Sequence, residues 1–136
     1  MMLPRTALFS LAYAMAVGLF ALPARAADRQ VERGKYIVER VGMCTDCHTP
    51  RERGALVRDK MLQGAPLPLR PIADMPFADY APRIAGIPDH YTEAQLVSFL
   101  ETGQRPDGSM ARPPMPPYRM NRADARAVAA YLKSLR

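Results

Sequence analysis

The sequence predicts an all-α domain of three or more short helices, joined by long Pro-rich loops and completed by an apolar group that the chain does not supply. Three observations predict it. Apolar residues recur at helical spacing in three segments, and no segment shows a convincing strand alternation. Fourteen prolines and eight glycines interrupt the remainder. Three short helices and two irregular loops also make a thin core for a chain of 136 residues, so a large apolar cofactor is needed to fill the interior.

Composition sets the frame. The chain is 49% apolar and 24% charged, which excludes a disordered polymer, and its length holds one domain of ordinary size. Its two cysteines exclude a disulfide-dense scaffold.

Residues 1–26 read as an export signal. Arg5 is the only charge before the uncharged run from Ala7 to Leu22, which is short of the ~20 residues of a membrane span. Ala24-Arg25-Ala26 fits a small-x-small cleavage site, so the cut is expected between Ala26 and Ala27. Left uncleaved, the segment would anchor the chain in the membrane. Cleavage removes Arg5 and Arg25, leaving 17 basic against 13 acidic residues, a formal +4, on a domain of residues 27–136. That domain is expected to work in an oxidising compartment, the periplasm.

The first helix is expected from about Arg29 to Gly42, with Val31, Ile37, Val38 and Val41 near one stripe. Gly34 interrupts it at a cost of ~1 kcal/mol against alanine, which points to a close backbone approach. The middle helix is bounded by a capping box, Thr92 with Gln95, and by Gly103 at its end. Leu96, Val97, Phe99 and Leu100 supply its buried face. The last helix begins at Asn121, carries Asp124 in its first turn, and repeats Val128, Tyr131, Leu132 and Leu135 at spacings of three and four. Between Thr49 and His90 lie seven prolines and no periodicity, and Pro106 to Pro117 is similarly irregular. Loops of that length need something to pack on.

Cys44-Thr45-Asp46-Cys47-His48 is the pattern of c-type haem attachment. Two thiols at this spacing reach the two vinyl groups on one porphyrin edge, and the turn between them brings His48 beneath the iron as proximal ligand. Chance placement of such a motif has odds on the order of one in several thousand. Other readings fare worse. A Cys44–Cys47 disulfide has no need of His48. A thioredoxin-like pair expects a preceding strand, and a zinc site lacks ligands, since His90 is the only other histidine.

With these residues in view, the chain from Ala27 to Arg136 resembles the class I cytochromes c. The likeness rests on Arg33-Gly34-Lys35-Tyr36-Ile37-Val38, the motif Cys44 to His48, Pro82-Arg83-Ile84-Ala85-Gly86, and Met115 followed by Ala130-Tyr131-Leu132-Lys133. The resemblance implies that the first and last helices cross with Gly34 against Tyr131. It also implies that the Pro82 carbonyl accepts the Nδ1 proton of His48, fixing the imidazole. The stretch from Pro50 to Tyr80 is longer than in the shortest members. Together with the Pro-Met-Pro-Pro-Tyr ending, it is similar to cytochrome subunits of periplasmic dehydrogenases.

The distal iron ligand is sought among Met43, Met61, Met75, Met110, Met115, Met120 and His90. Met115 is favoured, because prolines on both sides hold its backbone extended and non-helical, and its place before the last helix matches the family. Met110 and Met120 are the alternatives. Tyr118 is expected to close over the haem edge or to bond a propionate, and Arg51, Arg53 and Arg70 are candidate propionate partners.

The function these readings imply is that of an exported one-electron carrier with one covalent haem c, ligated by His48 and Met115. It would shuttle electrons between redox proteins such as a periplasmic dehydrogenase and a terminal oxidase or reductase, and it is not itself an enzyme. The alternatives are a haem-bearing subunit of a dehydrogenase complex and a haem peroxidase with an open distal site. Nucleic-acid binding is not expected, since no aromatic-basic platform accompanies the charge.

Overall fold

The computed structural model describes residues 25–135; the segment expected to be an export signal, but for its last two residues, lies outside them. Helix α1 covers 25–36 and runs into a π turn, Ile37–Val41. The short helix α2 follows at Cys44–His48, then the strand pairs β1 (Arg51–Glu52) with β2 (Ala55–Leu56) and β3 (Ala65–Pro66) with β4 (Tyr80–Ala81). Helices α3 (Glu93–Thr102) and α4 (Arg122–Ser134) complete the fold. α3 packs on α4, and the π turn packs on both α2 and α4. The predominantly helical fold agrees with the sequence reading, and the three expected helices are present.

The π turn departs from the regular helix expected there. Its closing bond runs from Gly42 N–H to the Ile37 carbonyl, five residues back, at 2.7 Å. The wider turn rotates the chain relative to a regular helix. Ile37 and Val38 are buried, whereas Val41, expected on the same stripe, is 58% exposed.

Gly34 does meet α4 face to face. A Cβ placed there would collide with the Ala127 carbonyl oxygen and come within 2.7 Å of Tyr131 Cβ. The glycine therefore trades helix propensity for contact between backbones. Tyr131 is buried at this crossing and its hydroxyl donates to Glu39 at 2.7 Å. Arg33 bonds Asp124 at 3.0 Å and holds that carboxyl below the usual carboxylate range.

The expected caps form. Thr92 Oγ1 accepts from Gln95 N–H at 3.2 Å, and Gln95 Oε1 accepts from Thr92 N–H at 2.8 Å. Gly103 closes α3 in the left-handed conformation, and Asn121 Oδ1 accepts from Asp124 N–H at 2.9 Å. Thr92→Ala is expected to cost about 1 kcal/mol, read as a lower urea midpoint with an unchanged slope.

The region read as irregular, residues 50–80, is pinned by non-local bonds. Arg53 and Gly54, both at positive φ, form the two-residue turn between β1 and β2, whose twist suits a hairpin. Further on, β3 and β4 pair Ala65 with Ala81 and Pro66 with Tyr80, closing the loop between them. Leu62 is fully buried. Its N–H donates to Thr49 Oγ1 at 3.0 Å, and its carbonyl accepts from Ile84 and Ala85 N–H at 2.9 and 3.0 Å. These bonds carry the segment beneath the core and deliver Pro82 to the neighbourhood of α2. No helix among the described residues is long and apolar enough to cross a membrane.

Candidate functional site

The site begins where the π turn ends. Met43 takes a left-handed conformation, and the chain turns from there into α2. Residues three apart share a helix face, so Cys44 and Cys47 both line one cavity, joined there by His48. Both cysteines are free thiols and half-buried. Burial pushes the Cys44 thiol up to about 11, keeping it protonated.

His48 is only 6% exposed. Its Nδ1 stands 2.7 Å from the Pro82 carbonyl oxygen. That oxygen can only accept, so Nδ1 carries the proton and Nε2 keeps a free lone pair. Burial disfavours the charged ring and lowers its pKa, with the Pro82 bond working in the opposite direction. The result is a neutral imidazole of defined tautomer, with the bond to Pro82 that the resemblance implied.

The cavity walls are apolar and come from distant parts of the chain. α3 supplies Leu96, Phe99 and Leu100, while α4 supplies Val128 and Leu132. Tyr80, Ala81 and Ile84 arrive from around β4, and Pro114, Met115 and Tyr118 from the loop before α4. Met115 thus lies on the same wall system as Cys44, Cys47 and His48. Its backbone is turned rather than extended: Met115 N–H donates to the Arg112 carbonyl at 3.2 Å, with Pro113 suited to the first corner of that turn. Ala78 N–H ties the turn down through the Pro113 carbonyl at 2.7 Å.

The other distal candidates are placed differently. Met110 is 52% exposed and lies against Gly103. Met120 packs on the core, with its N–H on the Leu100 carbonyl at 3.0 Å. Neither lines the cavity, and nor does His90, which is exposed at a left-handed turn. Met43 does reach the cavity, beside Cys44.

Tyr118 presents its ring to the cavity, while its hydroxyl donates to the Gly42 carbonyl. Burial pushes this phenol up to about 12. The hydroxyl proton is thus engaged by Gly42, and the ring forms part of the cavity wall. The candidate propionate partners keep the solvated character that is the default for a surface arginine. Arg51 pairs with Asp46 at 3.1 Å, and Arg53 and Arg70 are exposed, all three off the cavity wall. Arg105 and Arg112 line it instead. Sequence reasoning passed over them because their significance comes from tertiary placement and no local pattern marks it.

This donor set fits a covalent haem. Two free thiols stand three apart, beside an imidazole whose Nε2 lone pair is available, with a thioether and apolar walls for a flat macrocycle. Among the described residues no group of three or more His, Cys, Asp and Glu could hold a metal ion by itself.

Comparison with known proteins agrees. A family model described as cytochrome c matches residues 31–136. The chain is also 35% identical, over 109 residues, to a diheme cytochrome c-type protein of Cereibacter sphaeroides, an alignment covering 75% of this chain and 34% of the relative. The chain therefore spans about one third of that relative's length. With the haem-attachment motif, the bonded His48 and a family match over the folded domain all in agreement, the chain belongs to the class I cytochrome c family, whose members transfer electrons by means of covalently bound haem c.

Proposed function

We propose that this chain is a periplasmic one-electron carrier that holds a single haem c, with His48 and Met115 as axial ligands. The observation that carries the proposal is the neutral His48, bonded through Nδ1 to Pro82 at 2.7 Å, in a cavity shared with Cys44, Cys47 and Met115. Bound there, haem c supplies a one-electron iron couple. Cys44 and Cys47 hold it by thioether bonds, and one attachment motif in the chain supports a count of one. His48 presents Nε2 while Pro82 keeps the ring from turning. The thioether of Met115 favours reduced iron and raises the potential. Leu96, Phe99, Leu100, Val128 and Leu132 give the cavity apolar walls that would keep water from the bound group. With His48 and Met115 both holding the group, neither oxygen nor peroxide would find a free site. Export rests on residues 1–26, and Edman sequencing of the native protein should start at Ala27.

The test is spectroscopic. Oxidised protein with Met115 on the iron is expected to show low-spin character and the weak long-wavelength band of a thioether–ferric bond. Met115→Ala should abolish the band, open the site to exogenous imidazole and lower the potential by on the order of 100 mV, a fraction of the ~0.8 V range set by axial ligands. A wild-type high-spin spectrum that changes on adding peroxide would instead favour the peroxidase.

A second reading is a fixed subunit of a dehydrogenase complex. It is favoured by Leu69, Ile72 and Met75, at 46%, 103% and 44% exposure on the loop between β3 and β4, apolar side chains that a permanent partner would cover. Co-purification of the native protein in a stoichiometric assembly would support this reading, and a monomer on gel filtration the free carrier.

A further inference from the structure

We propose that Arg105 and Arg112 hold the two propionate carboxylates of the haem and thereby raise its potential. The inference rests on the haem reading above. It assigns these carboxylates to residues away from the attachment motif, where Arg51 and Arg53 are the natural candidates by sequence. The porphyrin is asymmetric: its vinyl groups lie toward one edge and its carboxylates toward the other. Cys44 and Cys47 fix the vinyl edge at α2. Arg51 is tied to that same edge through Asp46, within the motif itself, at 3.1 Å. A cation held there would lie on the side opposite the carboxylates.

Arg105 and Arg112 enter the cavity from the loop between α3 and α4. Neither belongs to the three ion pairs found among the described residues, Arg33–Asp124, Arg51–Asp46 and Lys133–Glu93. Arg105 is half-buried, and its guanidinium makes no ion pair among the described residues, which leaves its donors open to an anion in the cavity. Asp107 is near enough to be acidified by Arg105, but the hydrogen bonds it accepts come from Ser109 N–H at 3.0 Å and Ser109 Oγ at 2.7 Å.

The backbone makes both arginines part of a built surface. Arg105 N–H donates to the Ser109 carbonyl at 2.7 Å, and Gly108 N–H returns to the Arg105 carbonyl at 2.9 Å. Gln104 pairs with Met110 across the same tight loop. The Arg112 carbonyl accepts from Met115 N–H, so one turn presents both Arg112 and the proposed distal ligand. Guanidinium forks match carboxylates in geometry as well as charge. A fixed cation near iron favours the reduced state, which carries one positive charge fewer, and its removal must lower the potential. The half-buried Arg105 is less screened than the exposed Arg112, so its effect is the larger.

The experiment is redox titration of the purified holoprotein at constant pH and salt, alongside resonance Raman spectra of the propionate bending modes. Arg105→Gln should lower the reduced-to-oxidised ratio at a given poise about tenfold, equivalent to 59 mV for one electron. Arg112→Gln should lower it about threefold and shift the same Raman modes. Arg51→Gln and Arg70→Gln should change it less than twofold, and Arg105→Lys should restore most of the loss. Should Arg105→Gln mature too poorly to titrate, Arg112→Gln decides by the same two readouts. Potentials and Raman modes that stay at wild-type values, or an Arg51→Gln effect equal to that of Arg105→Gln, would overturn the assignment while leaving the haem reading intact. Absence of covalent pigment from the wild-type protein would overturn both.

Discussion

A chain carrying Cys44→Ala together with Cys47→Ala is expected to lose all covalently bound pigment. No other cysteine exists in the sequence, so no substitute thiol can reach the porphyrin. The single variants should each retain one thioether and a reduced yield. Loss of the group also leaves its cavity unfilled. Leu96, Leu100, Val128 and Leu132 line that cavity yet are buried by the chain's own packing, so what is lost is the contact that they and Phe99 would make with the group, at a cost that rises with the volume left empty. Against a total stability of only ~5–15 kcal/mol that cost is large, so the double variant should lose its helical circular dichroism at a markedly lower temperature than the holoprotein. The check is haem staining after denaturing electrophoresis, paired with far-ultraviolet spectra. Pigment that stays with the double variant through denaturation would show that attachment does not use these thiols.

Gly34→Ala is expected to destabilise the protein even though alanine is the better helix former. Propensity alone would favour the change by ~1 kcal/mol. Against it stands a collision with the Ala127 carbonyl oxygen and a 2.7 Å approach to Tyr131 Cβ. Both belong to the rigid frame of α4, so the helices themselves must separate. Overpacking typically costs ~1–3 kcal/mol, and a backbone clash lies at the upper end. A net loss of about 2 kcal/mol corresponds to a fall in Tm of roughly 10 °C for a domain near 100 residues. Gly54→Asn is the contrasting variant. A Cβ at Gly54 would meet nothing within 4 Å, and the residue sits at φ +85° in an exposed turn, a conformation asparagine tolerates. It should stay near wild-type stability, and a Gly34→Ala protein that melts with it would remove the crossing from the account of the fold.

The same crossing shows how far local pattern reaches. A glycine inside an apolar helical repeat announces a close approach, and family likeness names Tyr131 as its partner, yet the collision with Ala127 becomes visible only once α4 lies across α1. The π turn is silent in the sequence for a related reason. Its bond from Gly42 to Ile37 uses residues equally at home in a regular helix, and packing against α2 and α4 decides which form is adopted. The strand pairs contain two residues in each strand, too few for any alternation to register.

What the sequence determined by itself is chemistry held within a few neighbouring residues. Cys44, Cys47 and His48 are set by spacing along one turn, and the caps at Thr92 and Asn121 by bonds spanning three residues, so their signals are complete in a short window. Tertiary structure alone decided which distant groups share the cavity. It brought Met115 to the wall and left Met110 and Met120 away from it, gave the Tyr118 hydroxyl to Gly42, and put Arg105 and Arg112 on the cavity wall with Arg51, Arg53 and Arg70 off it. Those outcomes depend on the paths of the Pro-rich loops. Bonds such as Leu62 to Ile84 and Ala78 to Pro113 hold them, and such non-local closures leave no periodic trace in the chain.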